Sequence, residues 1–446
     1  MTSKPLSSQE EINLACYLER YAEPLVHNLE LMNFGVFDTV IVIPIYDETE
    51  EQIQQFLNFR NDKQSQQSIL MIWVFNAPES ALTTPSLERT QAVFKRMVIQ
   101  TKANKLVDKL YFSDAQESLK ILFVDRCHDL LIPEKQGVGL ARKLGMDLAL
   151  KLIYQQYQTT QKWCGWIYST DADVSLPEDY ALVPAKENTT ACIYPFKHIP
   201  QPGFERAMAE YEFSLHYYVE SLKKAGSPYA FHTIGSLIVV SSMAYAQVRG
   251  MPKRAGAEDF YLLNKLAKLG RVESLDGPLI QVSGRPSHRV PFGTGPALVK
   301  INTQHEKEEC FSVYHPRIFI IIGFVLSSVS EIEHSSAEED ILLSQLTVKL
   351  TDTKEKNVVS DILRSLGWNK QAAHFRHLKT TEAIQKAFHI WFDAFITLRF
   401  IHEVRDSLYP NIDLIELPKL LAEMAKDGAL RGTYFDDTAW FKTLGI

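Results

Sequence analysis

Two aspartates stand out for their spacing. Asp171 and Asp173 follow the apolar run Trp166-Ile167-Tyr168 and the polar pair Ser169-Thr170. In an extended segment, side chains two apart lie on one side, so both carboxylates could face a single cation. Carboxylate oxygens suit Mg2+ or Mn2+, and such ions in turn hold phosphate oxygens. The same pattern also occurs in turns that bind nothing, so the surrounding chain has to decide. Three other stretches could do chemistry with it. Gly137 and Gly139 open a helix with Arg142 in its first turn, where glycines would let backbone approach a ligand. Glu258-Asp259 begins a later helix, a place where acids also simply complement the helix dipole. Residues 284–295 hold Arg285, His288 and Arg289 among three glycines, which suits anion binding and metal ligation, or an ordinary surface loop.

Elements able to position these groups can be read from the periodicity. Thr39-Val40-Ile41-Val42-Ile43-Pro44 is a β-branched run that predicts a buried strand ended by proline, and residues 69–75 predict a second. A helix with Ile53, Phe56 and Leu57 as its apolar positions lies between them. This strand–helix–strand order predicts a parallel sheet with its site at the carboxyl ends of the strands. Residues 83–118 read as one or two amphipathic helices. Residues 121–125 then form a third strand, and Leu140, Leu144, Leu148 and Leu152 mark a long helix leading to the aspartate strand. Residues 231–240 read as a strand whose Gly235 marks a place where something passes closely. The reading divides the chain into an N-terminal helical segment (1–34), an α/β domain (35–329) and, after an acidic stretch from 331 to 339, a helical C-terminal region (330–446).

Composition sets the limits. The chain has 446 residues, 46% hydrophobic and 23% charged, enough for one large catalytic domain with an appendage or for two or three domains. A formal net charge of −7 argues against a nucleic-acid partner. The five cysteines are dispersed, with no CxxC pair, and read as reduced thiols rather than disulfides or a zinc site. The N-terminus lacks the apolar core of a signal peptide, and the most apolar run, residues 318–326, is about half the ~20 residues a membrane helix needs. A soluble, cytoplasmic protein without a transmembrane segment is the expectation.

In order, these pieces resemble the GT-A nucleotide-sugar glycosyltransferases, nearest to glycosyltransferase family 2, over about residues 38–297. Val42-Ile43-Pro44-Ile45-Tyr46-Asp47-Glu48 looks like that family's strand-to-loop opening, residues 137–149 like its glycine–arginine helix, Asp171-Ala172-Asp173 like its DxD, and Glu258-Asp259-Phe260 like its ED pair. The resemblance implies a Rossmann-like, mostly parallel sheet with flanking helices. It also implies a nucleotide-sugar donor, a hydroxyl acceptor and Mg2+ or Mn2+. Carried over by position, Pro44, Tyr46 and Glu48 border the nucleotide, with Gly139 and Arg142 near the base or diphosphate. Asp171 and Asp173 hold the metal–diphosphate, and Asp259, next to Glu258, is the base of an inverting transfer. Arg285 and Arg289 close over the diphosphate, and His288 is a candidate third metal ligand. One departure concerns the second strand: it ends in Asn76 where the family has acids, so the choice of base stays open.

Two other chemistries fit some of the residues. A retaining GT-A enzyme would use the same DxD and a later histidine. A phosphatase of the haloacid-dehalogenase type would use Asp171 as nucleophile in Asp171-Ala172-Asp173-Val174. That motif normally opens its domain, whereas about 170 residues precede it here.

Overall fold

The computed structural model describes residues 5–29, 34–59, 67–116, 118–181, 186, 188–287, 293–329 and 339–426. Two compact units divide them. The first takes Met1–Ile199, Thr233–Gly284 and His288–Gly293; the second takes Pro200–His232, Arg285–Ser287 and Thr294–Ile446. This division differs from the expected boundary near residue 330, because helices before that point cluster with those after it.

The first unit is built on a nine-stranded sheet. In chain order its strands are β1 (Thr39–Ile45), β2 (Ile69–Asn76), β3 (Asn104–Val107), β4 (Leu110–Gln116), β5 (Leu119–Arg126), β6 (Trp166–Ser169), β8 (Thr189–Ile193), β10 (Ile238–Ser241) and β11 (Arg271–Ser274). The short strands β7 (Val174–Ser175), β9 (Phe196–Pro200) and β12 (Ile280–Gly284) form a separate three-stranded sheet in the order β7-β12-β9. The large sheet runs β11-β8-β10-β6-β1-β2-β5-β4-β3. Its four central strands, β6, β1, β2 and β5, are mutually parallel, while β10 and β4 join them antiparallel on either side. Every residue of β1 and β2 is buried, as continuous apolar runs in a centrally placed parallel pair require.

Helices cover this sheet: α1 (Ser8–Arg20), α2 (Glu50–Gln54), α3 (Pro85–Gln100), α4 (Gly137–Thr160), and, after a helix belonging to the second unit (α5, Glu205–Lys224), α6 (Ser242–Gln247) and α7 (Glu258–Leu266). Helix α4 packs on β1 and β2 and is buried on most sides, since α1 and α7 also touch it. Its partly polar sequence is explained at Asp147, which is fully buried. Asp147 accepts hydrogen bonds from the hydroxyls of Tyr17 (2.6 Å) and Tyr245 (2.7 Å) and from the backbone N–H of Glu23 (2.8 Å), and it pairs with Lys143 at 3.0 Å. A buried carboxylate is tolerable only with such a full set of partners. The N-terminal helix, whose start is set by a capping box of Ser7 and Glu10, is thereby fastened to the α/β core.

Three sequence expectations need correction. Residues 83–118 do not form helices alone: α3 is followed by the hairpin β3–β4, which extends the sheet beyond β5. The connection is the two-residue turn Asp108-Lys109, with Lys109 at φ 65°, a hairpin geometry made here without the glycine that usually signals it. The strand expected over 231–240 shrinks to β10, preceded by a 3-10 turn at Gly235–Leu237. The strand expected to end at Pro44 runs on to Ile45.

The second unit is helical: α5, then α8 (Thr294–Glu306), α9 (Pro316–Val329), α10 (Glu339–Leu346), α11 (Thr353–Ser365), α12 (Trp368–Phe375), α13 (Thr381–Trp391), α14 (Ala394–Ser407) and α15 (Leu417–Lys426), with a small two-stranded ladder of β13 (Ser312–Val313) and β14 (Ile412–Asp413). The run 318–326, singled out for its apolarity, lies in α9 at the centre of this core, with Ile318, Ile321, Ile322 and Val325 fully buried. Residues 384–404 are divided between two helices, because Asp393 caps a new start by accepting from the N–H groups of Phe395 and Ile396, 3.0 Å each. Among the described residues, no helix is long and apolar enough to cross a membrane.

Candidate functional site

Strands β1 and β6 part company where the site begins. The N–H of Thr170 donates to the carbonyl of Val42 at 3.1 Å, the last bond of this pair. Two residues on, β1 would next offer a donor toward β6 at Pro44, which has none. Beyond Ser169 the chain therefore leaves the sheet, and Asp171 and Asp173 stand on a turn between β6 and β7. That turn replaces the extended geometry expected for the pair, so their facing does not follow from strand alternation. The side-chain amide of Gln55 donates to the carbonyl of Ala172 (3.3 Å) and steadies the turn. Both aspartates are half-buried.

Arg142 organises what surrounds them. It sits in the second turn of α4, not the first, and its side chain is 5% exposed. Its Nη2 donates to Asp171 Oδ1 (2.7 Å), its Nε to Glu258 Oε1 (3.0 Å), and its Nη1 to Ser169 Oγ (3.1 Å) and the Gly235 carbonyl (3.4 Å). Burial works against its charge, but Asp171, Glu258 and Asp259 outweigh that and raise its pKa. A guanidinium so engaged holds the protein's own carboxylates together, a different task from the expected contact with the base or diphosphate. Gly235 is where the passing group comes through: a Cβ there would lie 2.5 Å from Arg142 Nη2 and 2.7 Å from Cζ.

The acidic pair enters from the opposite side. Ala257 takes a left-handed φ of 58°, uncommon for a residue with a Cβ, and turns the chain into α7 so that Glu258 and Asp259 occupy its first turn. Glu258 is buried against Arg142 and is spent on that ion pair. Asp259 is half-buried, and its Oδ1 accepts from the N–H of Phe260 at 2.7 Å. Burial, then the adjacent Glu258 charge, pushes its pKa up to about 7, with Arg142 pulling the other way. A carboxyl group titrating near neutrality suits proton transfer.

Of the remaining expected residues, Pro44, Tyr46, Glu48 and Asn76 lie at the ends of β1 and β2 in the first unit. Pro44, inside β1, and Glu48, beyond it, are buried, and Tyr46 is half-buried just past the strand. Asp47 between them sits at φ 56° and is tied to α3 through Thr90 (2.9 Å), Ser86 (2.8 Å) and Arg89 (2.8 Å). Asn76 donates its amide to the carbonyls of Ile45 (3.2 Å) and Val74 (3.0 Å), so it braces the ends of β1 and β2. Gly139 serves packing within the chain: its N–H donates to the Arg254 carbonyl (3.0 Å), and a Cβ would strike the backbone of Pro252 and Arg254 at 2.5–2.6 Å. Arg285 belongs to the second unit, and His288 and Arg289 lie outside the described residues. For a divalent cation the oxygen donors at hand are Asp171, 34% exposed although paired with Arg142, and Asp173, a set that fits Mg2+ or Mn2+. The sequence reading missed Ser169 and the bridging role of Arg142, for which Gly235 was the one available signal.

No protein-family model matches the chain, and no curated protein does. Among solved structures it is similar to S. aureus TarS residues 1–349 in complex with UDP-GlcNAc (10% identity, 83% of this chain and 91% of that one, TM-score 0.34). It is also similar to the mannosyltransferase PcManGT from Pyrobaculum calidifontis in complex with GDP-Man and Mn2+ (12%, 86% and 96%, TM-score 0.33). A third is GalNAc-T7 with UDP, GalNAc and Mn2+ (11%, 91% and 68%, TM-score 0.31). With likenesses this distant, what the chain does is read from its own residues.

Proposed function

We propose that this protein is a metal-dependent glycosyltransferase that moves a sugar from a nucleoside-diphosphate donor, a UDP- or GDP-sugar, to an acceptor hydroxyl with inversion. The observation that carries the reading is the buried Arg142 bridge, which joins Asp171 at the carboxyl end of β6 to Glu258 beside Asp259. One side of this bridge offers oxygen ligands for a cation; the other offers a carboxyl group with its pKa near 7.

In this reading Asp171 and Asp173 hold Mg2+ or Mn2+, which when bound offsets the charge of the leaving diphosphate. Pro44, Tyr46, Glu48 and Asn76, at the ends of β1 and β2, border the nucleotide. Asp259 takes the acceptor's proton as the hydroxyl attacks; Glu258 cannot substitute, because adjacent helix residues point about 100° apart and it is committed to Arg142. Arg142 keeps the two carboxylate sites in register.

A thermal-shift panel of nucleoside diphosphates and nucleotide sugars, each with Mn2+, Mg2+ or EDTA, tests the donor half. Binding to the folded state raises Tm with the logarithm of ligand concentration. The expected result is stabilisation by a diphosphate, UDP more than GDP, that requires the metal. If no diphosphate stabilises the protein more with metal than with EDTA, the reading fails. Product stereochemistry decides the other half: a product keeping the donor's anomeric configuration would transfer the assignment to a retaining mechanism.

A further inference from the structure

A second set of metal-ligating side chains converges away from Asp171. At the carboxyl end of β5, His128 Nδ1 lies 2.9 Å from Asp125 Oδ1, and Cys127 Sγ lies 3.5 Å from both atoms. Among the described residues, this is where three histidine, cysteine or carboxylate donor atoms come within 4.8 Å of one another. Tetrahedral zinc, with bonds of ~2.0–2.3 Å, spaces its ligand atoms roughly 3.3–3.8 Å apart. The two sulfur separations already match such edges, and the third needs a few tenths of an ångström of opening. Asp125 and Cys127 are buried while the His128 side chain is 25% exposed, so solvent reaches the group at His128.

We propose that Asp125, Cys127 and His128 form a zinc site with its fourth position open to water on the His128 side. Thiolate, imidazole and carboxylate together select Zn2+ over the Mg2+ or Mn2+ suited to an all-oxygen set. On binding, the Cys127 thiol gives its proton to solvent and the thiolate bonds the metal. Asp125 supplies the second negative charge, and His128 contributes a neutral ring lone pair, which leaves the centre uncharged. The surroundings support these ligands from outside. Gln91 of α3 donates to the Cys127 carbonyl (2.6 Å), the Phe94 ring packs edge-on against His128 (centroids 5.4 Å apart), and the Cys127 N–H donates to Asp125 Oδ1 (3.2 Å). Bound metal would brace the chain where it leaves β5 toward α4. A search for paired CxxC spacings passes over this site because its donors are of three kinds within four residues.

The test uses the full chain stripped with a chelator and titrated with Co2+, whose bond to thiolate gives a sulfur-to-cobalt absorption in the near ultraviolet. The expected result is one equivalent bound with that absorption, displaced by Zn2+, lost in Cys127→Ser, weakened at least tenfold in affinity in His128→Ala, and unchanged in the double variant D171N/D173N. Wild-type protein giving no more absorption than Cys127→Ser overturns the proposal, since any signal would then come from other thiols such as the exposed Cys310. Should Cys127→Ser fail to fold by circular dichroism, His128→Ala decides: wild-type uptake in that variant overturns it too.

Discussion

Arg142 shows how a residue can be legible by position and misleading by role. Its place on a glycine-led helix was readable, but its partners come from residues 27 to 116 positions away, and no local pattern announces them. Because Glu258 is buried with it, Arg142→Met would strand a carboxylate without its cation, at a cost of about 3–5 kcal/mol. A large drop in Tm and loss of metal-dependent nucleotide stabilisation are expected; a variant melting and binding like wild type would show the bridge to be incidental. Asp259→Asn should behave differently. It keeps the shape and removes the proton acceptor, so nucleotide affinity should hold while turnover, followed by diphosphate release, falls roughly 10²–10⁴-fold. Its stability also has a predictable sign. Folding raises the Asp259 pKa to about 7, so the protonated form is the favoured one, and that contribution fades as pH climbs from the unfolded value through 7. Asparagine does not ionise, so its Tm advantage over wild type should be larger at pH 8 than at pH 5. An advantage that shrinks over that interval would mean the carboxyl group is not held protonated.

At the scale of elements, the central parallel strands, the long helix between residues 137 and 160 and the apolar α9 were all readable, because continuous apolar runs and steps of four leave few alternatives. The β3–β4 hairpin was not, because its Asp108-Lys109 turn lacks a glycine and follows directly on a true amphipathic helix. Nor could the sequence tell that the Asp171–Asp173 segment turns, since the cause lies in a proline on a neighbouring strand. The N-terminal helix itself was readable, but its anchor, Asp147, lies more than 120 positions away and has no local signal. Tyr17→Phe removes one hydrogen bond from Asp147 and one from Lys143 (2.9 Å) while keeping the ring. A loss of about 1–3 kcal/mol is expected, seen as a lower denaturation midpoint and earlier proteolysis within α1. An unchanged midpoint would show that packing alone holds the helix.

For the whole molecule, the domain boundary was the least legible feature. Acidic residues after 330 look like a linker, but the helical core gathers α5 and α9 from before that point with α10 to α15 beyond it, and α8 packs on α5 in the same unit. A chain stopped after Val329 should therefore lose the second unit rather than a dispensable tail. Ile318, Ile321, Ile322 and Val325 would each forfeit about 1.5–3 kcal/mol of burial. Such a truncation is expected to be recovered aggregated or to bind a dye for exposed apolar surface; a monodisperse fragment with native-like near-ultraviolet dichroism would contradict this.

Neither unit is one continuous stretch of sequence. The chain leaves the first after Ile199, returns at Thr233 and departs again after Gly284. During synthesis the ribosome would thus deliver β1 to β9 well before β10, the strand that lies between β8 and β6. Until residues 238–241 emerge, the sheet ends at β6 and β8 has no partner, since its other neighbour, β11, comes later still, and Gly235 has only just arrived to lie against Arg142. The site can assemble only once Glu258 and Asp259 have emerged, so a nascent chain stalled or released before that point would carry every acid on Asp171's side of the bridge and none of those on Glu258's.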